Sequence, residues 1–183
     1  MEIETKAFPK LLVRTAVVIT TISERGISNA APFSFNSPIS FEPPLYGFSC
    51  NPAHDTWRNI QENGEFVVNL VGEDLAGLLH VLETDYPYED SEIAHAGLTE
   101  EQAEEVKPPR IKEALAWIEC KLEKSVELGD HIWITGRVLK VDVKDEFWKE
   151  AGLLDLEKAR LLCHISGESF VVAMKEARYK RAK

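Results

Sequence analysis

Residues 11–41, LLVRTAVVITTISERGISNAAPFSFNSPISF, decide the fold. Val, Ile and Thr crowd residues 11–23, and Arg25-Gly26 follows as a tight turn, so this run reads as a strand entering a hairpin. Residues 27–41 alternate small and aromatic side chains. Pro32 and Pro38 bar a helix there and send this second extended run to a sheet edge or a bulge.

Pro43-Pro44 then punctuates the chain, residues 45–50 form a short apolar strand, and Asn51-Pro52 ends it. Asp55-Thr56 suits the start of a helix running to about Asn63-Gly64, because an oxygen there satisfies free backbone N–H groups. A strand at 65–71 and a helix at 74–83 follow, the latter from the spacing of Leu75, Leu78, Leu79 and Leu82. Residues 84–107 are acidic with few large apolar side chains and read as a surface excursion, with one helical turn near 100–105. Strands return at 115–128 and 131–143 around Gly129-Asp130, then a helix at 155–161 and a hairpin of 162–165 and 169–174 around Ser166-Gly167.

About seven strands with short helices between turn residues predict a mainly β domain, an antiparallel barrel with peripheral helices. A parallel α/β sheet needs a helix of about 10–15 residues between successive strands, and the early strands leave no room for one. The G-x-G-x-x-G fingerprint is also missing. At 183 residues the chain suits one domain over residues 1–183, with the basic stretch 175–183 as a solvated end. Its 44% hydrophobic and 28% charged residues are globular values.

A net charge of −10 disfavours a nucleic-acid partner but leaves room for a small phosphorylated ligand held by local N–H groups. Cys50, Cys120 and Cys163 are far apart and fit no zinc or C-x-x-C spacing, which leaves buried free thiols and no metal site. No basic-then-apolar leader opens the sequence, and no apolar run approaches the ~18 residues of a membrane span. The expected compartment is the cytoplasm.

Small, hydroxyl and amide side chains gather from Thr20 to Asn59 around otherwise apolar strands. A flavin needs a flat slot with backbone donors and acceptors, an apolar wall, and donors for its phosphate. Asn29, Ala30, Ala31, Pro32, Phe33 and Ser34 can supply the first two, and Ser49, Thr56 and the helix start after Asp55 the third. On residues alone, small residues in an ordinary turn before Pro43-Pro44 are the simpler explanation of the cluster.

The ordered landmarks Asn29-Ala30-Ala31-Pro32-Phe33-Ser34, Glu42-Pro43-Pro44-Leu45, Asp55-Thr56-Trp57-Arg58-Asn59-Ile60 and Gly64-Glu65-Phe66-Val67-Val68-Asn69 resemble the flavin-reductase-like family. So do Gly97-Leu98, Pro108-Pro109-Arg110-Ile111, Glu119-Cys120, Gly129-Asp130-His131 and Gly136, over roughly residues 10–172. The resemblance implies a split antiparallel β-barrel of Greek-key, flavoredoxin-like type, binding FMN as a homodimer with the flavin at or near the interface. It implies the isoalloxazine against Asn29 to Ser34 and the phosphate among Ser49, Cys50, Asn51, His54, Asp55, Thr56 and Asn59.

It further implies a flavin-edge or catalytic role for His131, for which a plain turn histidine is the other reading, and a place near the flavin for His164. Glu119-Cys120 is implied as a structural landmark. Where the family often has Lys before the Asp-Thr pair this chain has His54, a side chain largely uncharged near neutrality, so Arg58 or a second subunit would complete the anion site.

The implied activity is an oxidoreductase taking electrons from NADH or NADPH through FMN to free flavin, ferric iron, or another small-molecule or protein acceptor. Two alternatives stand beside it. One is an FMN-binding electron-transfer or flavin-storage protein, and the other a cofactor-free dimeric module.

Overall fold

The computed structural model describes residues 1–172, 174–177 and 179, so the rest of the basic stretch 175–183 lies outside the described residues. A 3-10 helix, Thr5–Leu11, precedes β1 (Arg14–Thr15), β2 (Val17–Ile22), β3 (Ser28–Phe33), β4 (Asn36–Phe41) and β5 (Pro44–Cys50). Helix α1 (Asp55–Asn63) and β6 (Glu65–Leu70) follow. Next come α2 (Leu79–Leu82), then α3 (Glu92–His95) and β7 (Glu100–Glu101) within the excursion, and β8 (Arg110–Ile111) after it. The long strands β9 (Ala116–Leu128) and β10 (His131–Val143) precede β11 (Trp148–Lys149), β12 (Leu153–Leu154), α4 (Leu156–Ala159), β13 (Cys163–Ser166) and β14 (Ser169–Val171).

Seven strands form one sheet in the order β3-β2-β6-β9-β10-β5-β4, every pair antiparallel. Strands β3 and β4 are separated only by Ser34 and Phe35, yet they are the sheet's two opposite edges. A two-residue link reaches only about 10 Å, so the sheet must roll until its edges meet. They meet without a ladder. The seam is instead crossed by Phe33 edge-on to Phe48 at 5.0 Å between ring centroids, while Ser49 N–H donating to Phe35 O at 2.8 Å carries the β4–β5 ladder into the link.

The expected Pro32 and Pro38 placement holds, since β3 and β4 are the strands whose outer edges need no N–H donor. Strands β2 and β6 are buried on both faces, which explains their nearly unbroken apolar runs. Val17, Ile19, Phe66 and Val68 fill the barrel with Phe33, Phe48, Ile60 and Ile134. Val18 and Val67 face outward to Leu75, Leu79, Leu82, Ile93 and Leu162. The helices therefore cover one outer wall of the barrel.

Two expectations change. The helix predicted over 74–83 is a 3-10 turn, Glu73–Leu78, running into the single α-turn α2. The excursion is no solvated loop, because Ile93, Ala103 and Val106 enter the outer core. Its helical turn is α3 at 92–95, whereas residues 100–101 form β7, paired with β8. Buried Glu119 pins the excursion's far end, accepting from Glu104 N at 3.0 Å, Glu105 N at 2.6 Å and Arg110 Nε at 2.7 Å. Burial pushes its carboxyl up, but those donors outweigh burial and hold it below the ordinary glutamate range.

Cys50, Cys120 and Cys163 are buried free thiols, as expected. Burial pushes Cys50 up to about 12, so it has no thiolate character near neutrality. Gly136 lies where β10 bulges against β9, with no space for a Cβ beside the Phe66 ring and Cys120. Gly136→Ala should cost about 2 kcal/mol through overpacking, and a thermal melt should show Tm lower by roughly 4–8 °C.

Candidate functional site

The seam between the sheet edges opens into three adjoining cavities. The first, about 430 Å³, lies between Asn29, Ala31 and Pro32 of β3 and Asn51, His54, Asp55 and Thr56 at the start of α1. Glu83, Asp85, Tyr86 and Glu92 form its outer wall. A small second cavity of about 80 Å³ shares Pro32 and Glu83 with the first and adds Phe33, Ser34 and His164. The third, about 310 Å³, shares Ser34 with the second and is walled mainly by Phe8, Pro9, Leu12, Phe35 and Trp133, with Ser49 and Arg14. The three together trace β3 from its middle to its end.

Helix α1 starts as it does because Asn51-Pro52 breaks β5 and Asn51 Oδ1 accepts Ala53 N–H at 2.9 Å. Its N-cap residue is His54, one position earlier than the Asp55-Thr56 start read from sequence. No side chain caps it, which leaves the N–H groups of Asp55 and Thr56, two residues that line the cavity, without a capping partner. Gly64 closes the helix in the left-handed region at φ 68°. Burial raises the Asp55 carboxyl above its ordinary range, with Arg58 opposing and Asp85 adding.

The side chains of Asn29, Thr56 and Asn59 point inward. Asn29 Oδ1 accepts from Thr21 Oγ1 and Thr56 Oγ1, each at 3.1 Å, and Asn29 Nδ2 donates to Glu92 Oε1 at 3.0 Å. Asn59 Nδ2 donates to Thr21 Oγ1 at 3.0 Å. Asn29 and Thr56 still line the first cavity, whereas Asn59 does not. Ala30 and Cys50 are fully buried, and the Ala30 N–H on the open edge of β3 is taken by Glu92 Oε2 at 3.0 Å.

Ser49 lies in the third cavity, away from His54 and Thr56. His131 lines none of the three cavities; its Nδ1 is 2.7 Å from Asp130 and its ring 6.3 Å from Phe35. His164 is set between Ser34 Oγ at 3.0 Å, Arg14 Nη2 at 3.4 Å and Gly167 O at 3.1 Å. The carbonyl only accepts and the guanidinium only donates, so His164 is held with its proton on Nε2 and its Nδ1 lone pair toward Ser34 and Arg14. Arg14 also donates to Ile165 O at 2.6 Å and Leu12 O at 3.2 Å, tying the N-terminal turn to β13.

The sequence reading missed Arg14, Glu83, Asp85, Tyr86 and Glu92. Three of them, Asp85, Tyr86 and Glu92, belong to an acidic stretch with no periodicity, and nothing in that stretch separates Glu92 from its exposed neighbours. Asn29 joins three buried side chains, those of Thr21, Thr56 and Glu92. Asn29→Ala would strand two buried hydroxyls and a buried carboxylate, a loss of about 3 kcal/mol that urea denaturation should register as a lower midpoint with unchanged slope.

A rolled antiparallel sheet with a ligand groove along its unpaired seam defines a split β-barrel. Residues 10–160 match the family model described as flavin reductase like domain. An uncharacterized protein of Aquifex aeolicus is 38% identical over 167 residues, covering 88% of this chain and 85% of its own. Uncharacterized protein YwrF of Bacillus subtilis is 33% identical over 156 residues, covering 83% and 76%. Nitrilotriacetate monooxygenase component B from Bacillus cereus superposes with a TM-score of 0.88 at 26% identity, over 97% of this chain and 95% of that one. The flavoredoxin of Desulfovibrio vulgaris (Miyazaki F) shares the fold at a TM-score of 0.87 and 19% identity, over 98% and 97%. The chain belongs to the flavin reductase like family.

Proposed function

We propose that the chain is an FMN-binding oxidoreductase that holds the flavin along the seam and accepts electrons from NADH or NADPH. The observation that carries this reading is the uncapped start of α1 opening into the first cavity. Two aligned N–H groups and the positive helix end are suited to a phosphate. Asn51 and the backbone at Asp55 and Thr56 would hold that phosphate, with the His54 imidazole lining the same cavity. Ala31 and Pro32 are small enough for a ring to lie against β3, and Ser34, held by His164 and Arg14, presents a hydrogen-bonding group further along the groove. Bound FMN would supply the hydride and electron chemistry; the protein orients it and excludes water.

The reading gains support from similar proteins. One of the solved structures with this fold is described as an FMN-binding protein from Thermus thermophilus with bound 1-cyclohex-2-enone, at a TM-score of 0.83 and 20% identity, over 98% of this chain and 97% of that one. Anaerobic addition of NADH or NADPH to the FMN-loaded protein should bleach the flavin's visible absorbance. Bleaching by a protein donor alone would instead mark an electron carrier. On the phosphate assignment, FMN should bind at least about tenfold tighter than riboflavin. His54→Lys should tighten FMN but not riboflavin, and the gain should shrink in high salt.

A second copy of the chain would cover the open side of the third cavity. Phe35, Ile39 and Phe41 on or beside edge strand β4, with Phe8, Leu11 and Leu12 opposite, are exposed, Phe41 at 96%. Apolar groups in this density on an unpaired edge suit a homodimer. Phe41→Glu with Ile39→Lys should yield a monomer by light scattering and weaken flavin binding.

A further inference from the structure

Beside the first cavity, the side chains from Tyr88 through to Glu92 are joined by hydrogen bonds that all run one way. Tyr88 Oη donates to Asn59 Oδ1 at 2.7 Å, Asn59 Nδ2 to Thr21 Oγ1 at 3.0 Å, Thr21 Oγ1 to Asn29 Oδ1 at 3.1 Å, and Asn29 Nδ2 to Glu92 Oε1 at 3.0 Å. Thr56 Oγ1 joins at Asn29 Oδ1. With its other oxygen on Ala30 N–H, an ionised Glu92 offers only acceptors. It thereby fixes the Asn29 amide, and the amide fixes Thr56. The Thr56 proton is directed inward, away from the cavity.

The same atoms permit the opposite direction. A proton on Glu92 Oε1 would donate to Asn29 Oδ1 once the amide turned over, and Asn29 Nδ2 would give its two protons to Thr21 and Thr56. Thr21 would then donate to Asn59 Oδ1, Asn59 Nδ2 to Tyr88 Oη, and Tyr88 to Glu62 Oε2, which already lies 3.3 Å away. Every group stays paired. The one proton left over is that of Thr56, free to turn to the cavity it lines.

The geometry points to Glu92 as a positioning residue for the phosphate end of the cofactor: ionised, it turns the Thr56 proton away from the ligand, and neutral, it releases that proton to it. This rests on the reading of the first cavity as the FMN phosphate site. The surroundings favour the neutral state when an anion enters. Facing Glu92 are Asp55 and His54 of α1, and Glu83 and Asp85 after α2. Ser91, beside it, contacts Ser28, which donates to Glu100 of β7, while on its own helix His95 is paired with Asp90 at 3.5 Å. Burial already pushes the Glu92 carboxyl above the ordinary glutamate range, the bonds from Ala30 and Asn29 oppose this, and Asp55 adds to it. Glu119, equally buried, has Arg110 beside it; Glu92 has no such partner among the described residues.

FMN binding favours neutral Glu92, so this contribution to affinity grows as pH falls through the raised Glu92 range and is smallest above it. Two variants separate the directions. Glu92→Gln keeps an acceptor for Ala30 N–H but must donate to Asn29, fixing the receptive direction. Adding Asn29→Asp restores the withheld one. The carboxylate introduced at position 29 accepts both threonine protons and the amide introduced at position 92, so every bond survives with the charge moved to the neighbouring side chain in the chain of bonds.

Flavin fluorescence titrations of the three proteins should show Glu92→Gln binding FMN about tenfold tighter than the wild type at about pH 8. The ratio should fall toward one as the pH is lowered through the raised Glu92 range. Riboflavin should bind both alike, and the double variant should bind FMN no tighter than the wild type. A ratio at or below one at the alkaline end, a ratio independent of pH, or an equal gain for riboflavin overturns the role of Glu92 and leaves the cofactor reading standing. FMN binding by none of the three proteins at any pH removes the cofactor reading, and this inference with it.

Discussion

The structure depends on one constraint: β3 and β4 are two residues apart in the chain and six strands apart in the sheet. Only a closed roll satisfies both, and the roll closes without a ladder between its edges. Backbone groups that a continuous barrel would pair are therefore left to other partners at the seam. Glu92 takes one of them, the Ala30 N–H on the open edge of β3. The groove exists because the edges approach without bonding. Its position follows from the connection that forces them together.

Much of this was legible because it rests on local chemistry. Pro32 and Pro38 cannot donate to a ladder, and they mark the two edge strands. Gly129-Asp130 made the long hairpin plain, and Asp55 to Gly64 carried a helix with both its ends. Strands buried on both faces, such as β2, were visible as unbroken Val, Ile and Thr. What failed was local too. Residues 84–107 bury only a few apolar side chains, with Ile93, Ala103 and Val106 at irregular spacing, so no period exists to be read.

The site was legible as a neighbourhood more than as a set of contacts. The polar cluster from Thr20 to Asn59 does border a cavity, and the resemblance to flavin reductases led to the right family. Sequence could not show that Thr21, Asn29, Thr56 and Asn59 satisfy one another, since their partners lie 8 to 38 positions away along the chain. A hydroxyl near a binding site reads as a ligand donor until its acceptor is seen. Likewise Ser49 and Thr56, seven positions apart in sequence, face different cavities because the break at Asn51-Pro52 redirects the chain between them.

The Ser34-Phe35 connection also acts as a ruler. The width of the groove is the distance those two residues can span, so it is a property of chain length rather than of the side chains that line the walls. Within this architecture, one residue more at that link would relax the roll by roughly 3.5 Å, enough to admit a thicker guest without altering a single wall residue. One residue fewer would draw the edges into bonding distance and erase the groove. Diversification of such barrels by insertion and deletion at this single joint would change what fits before it changed what binds.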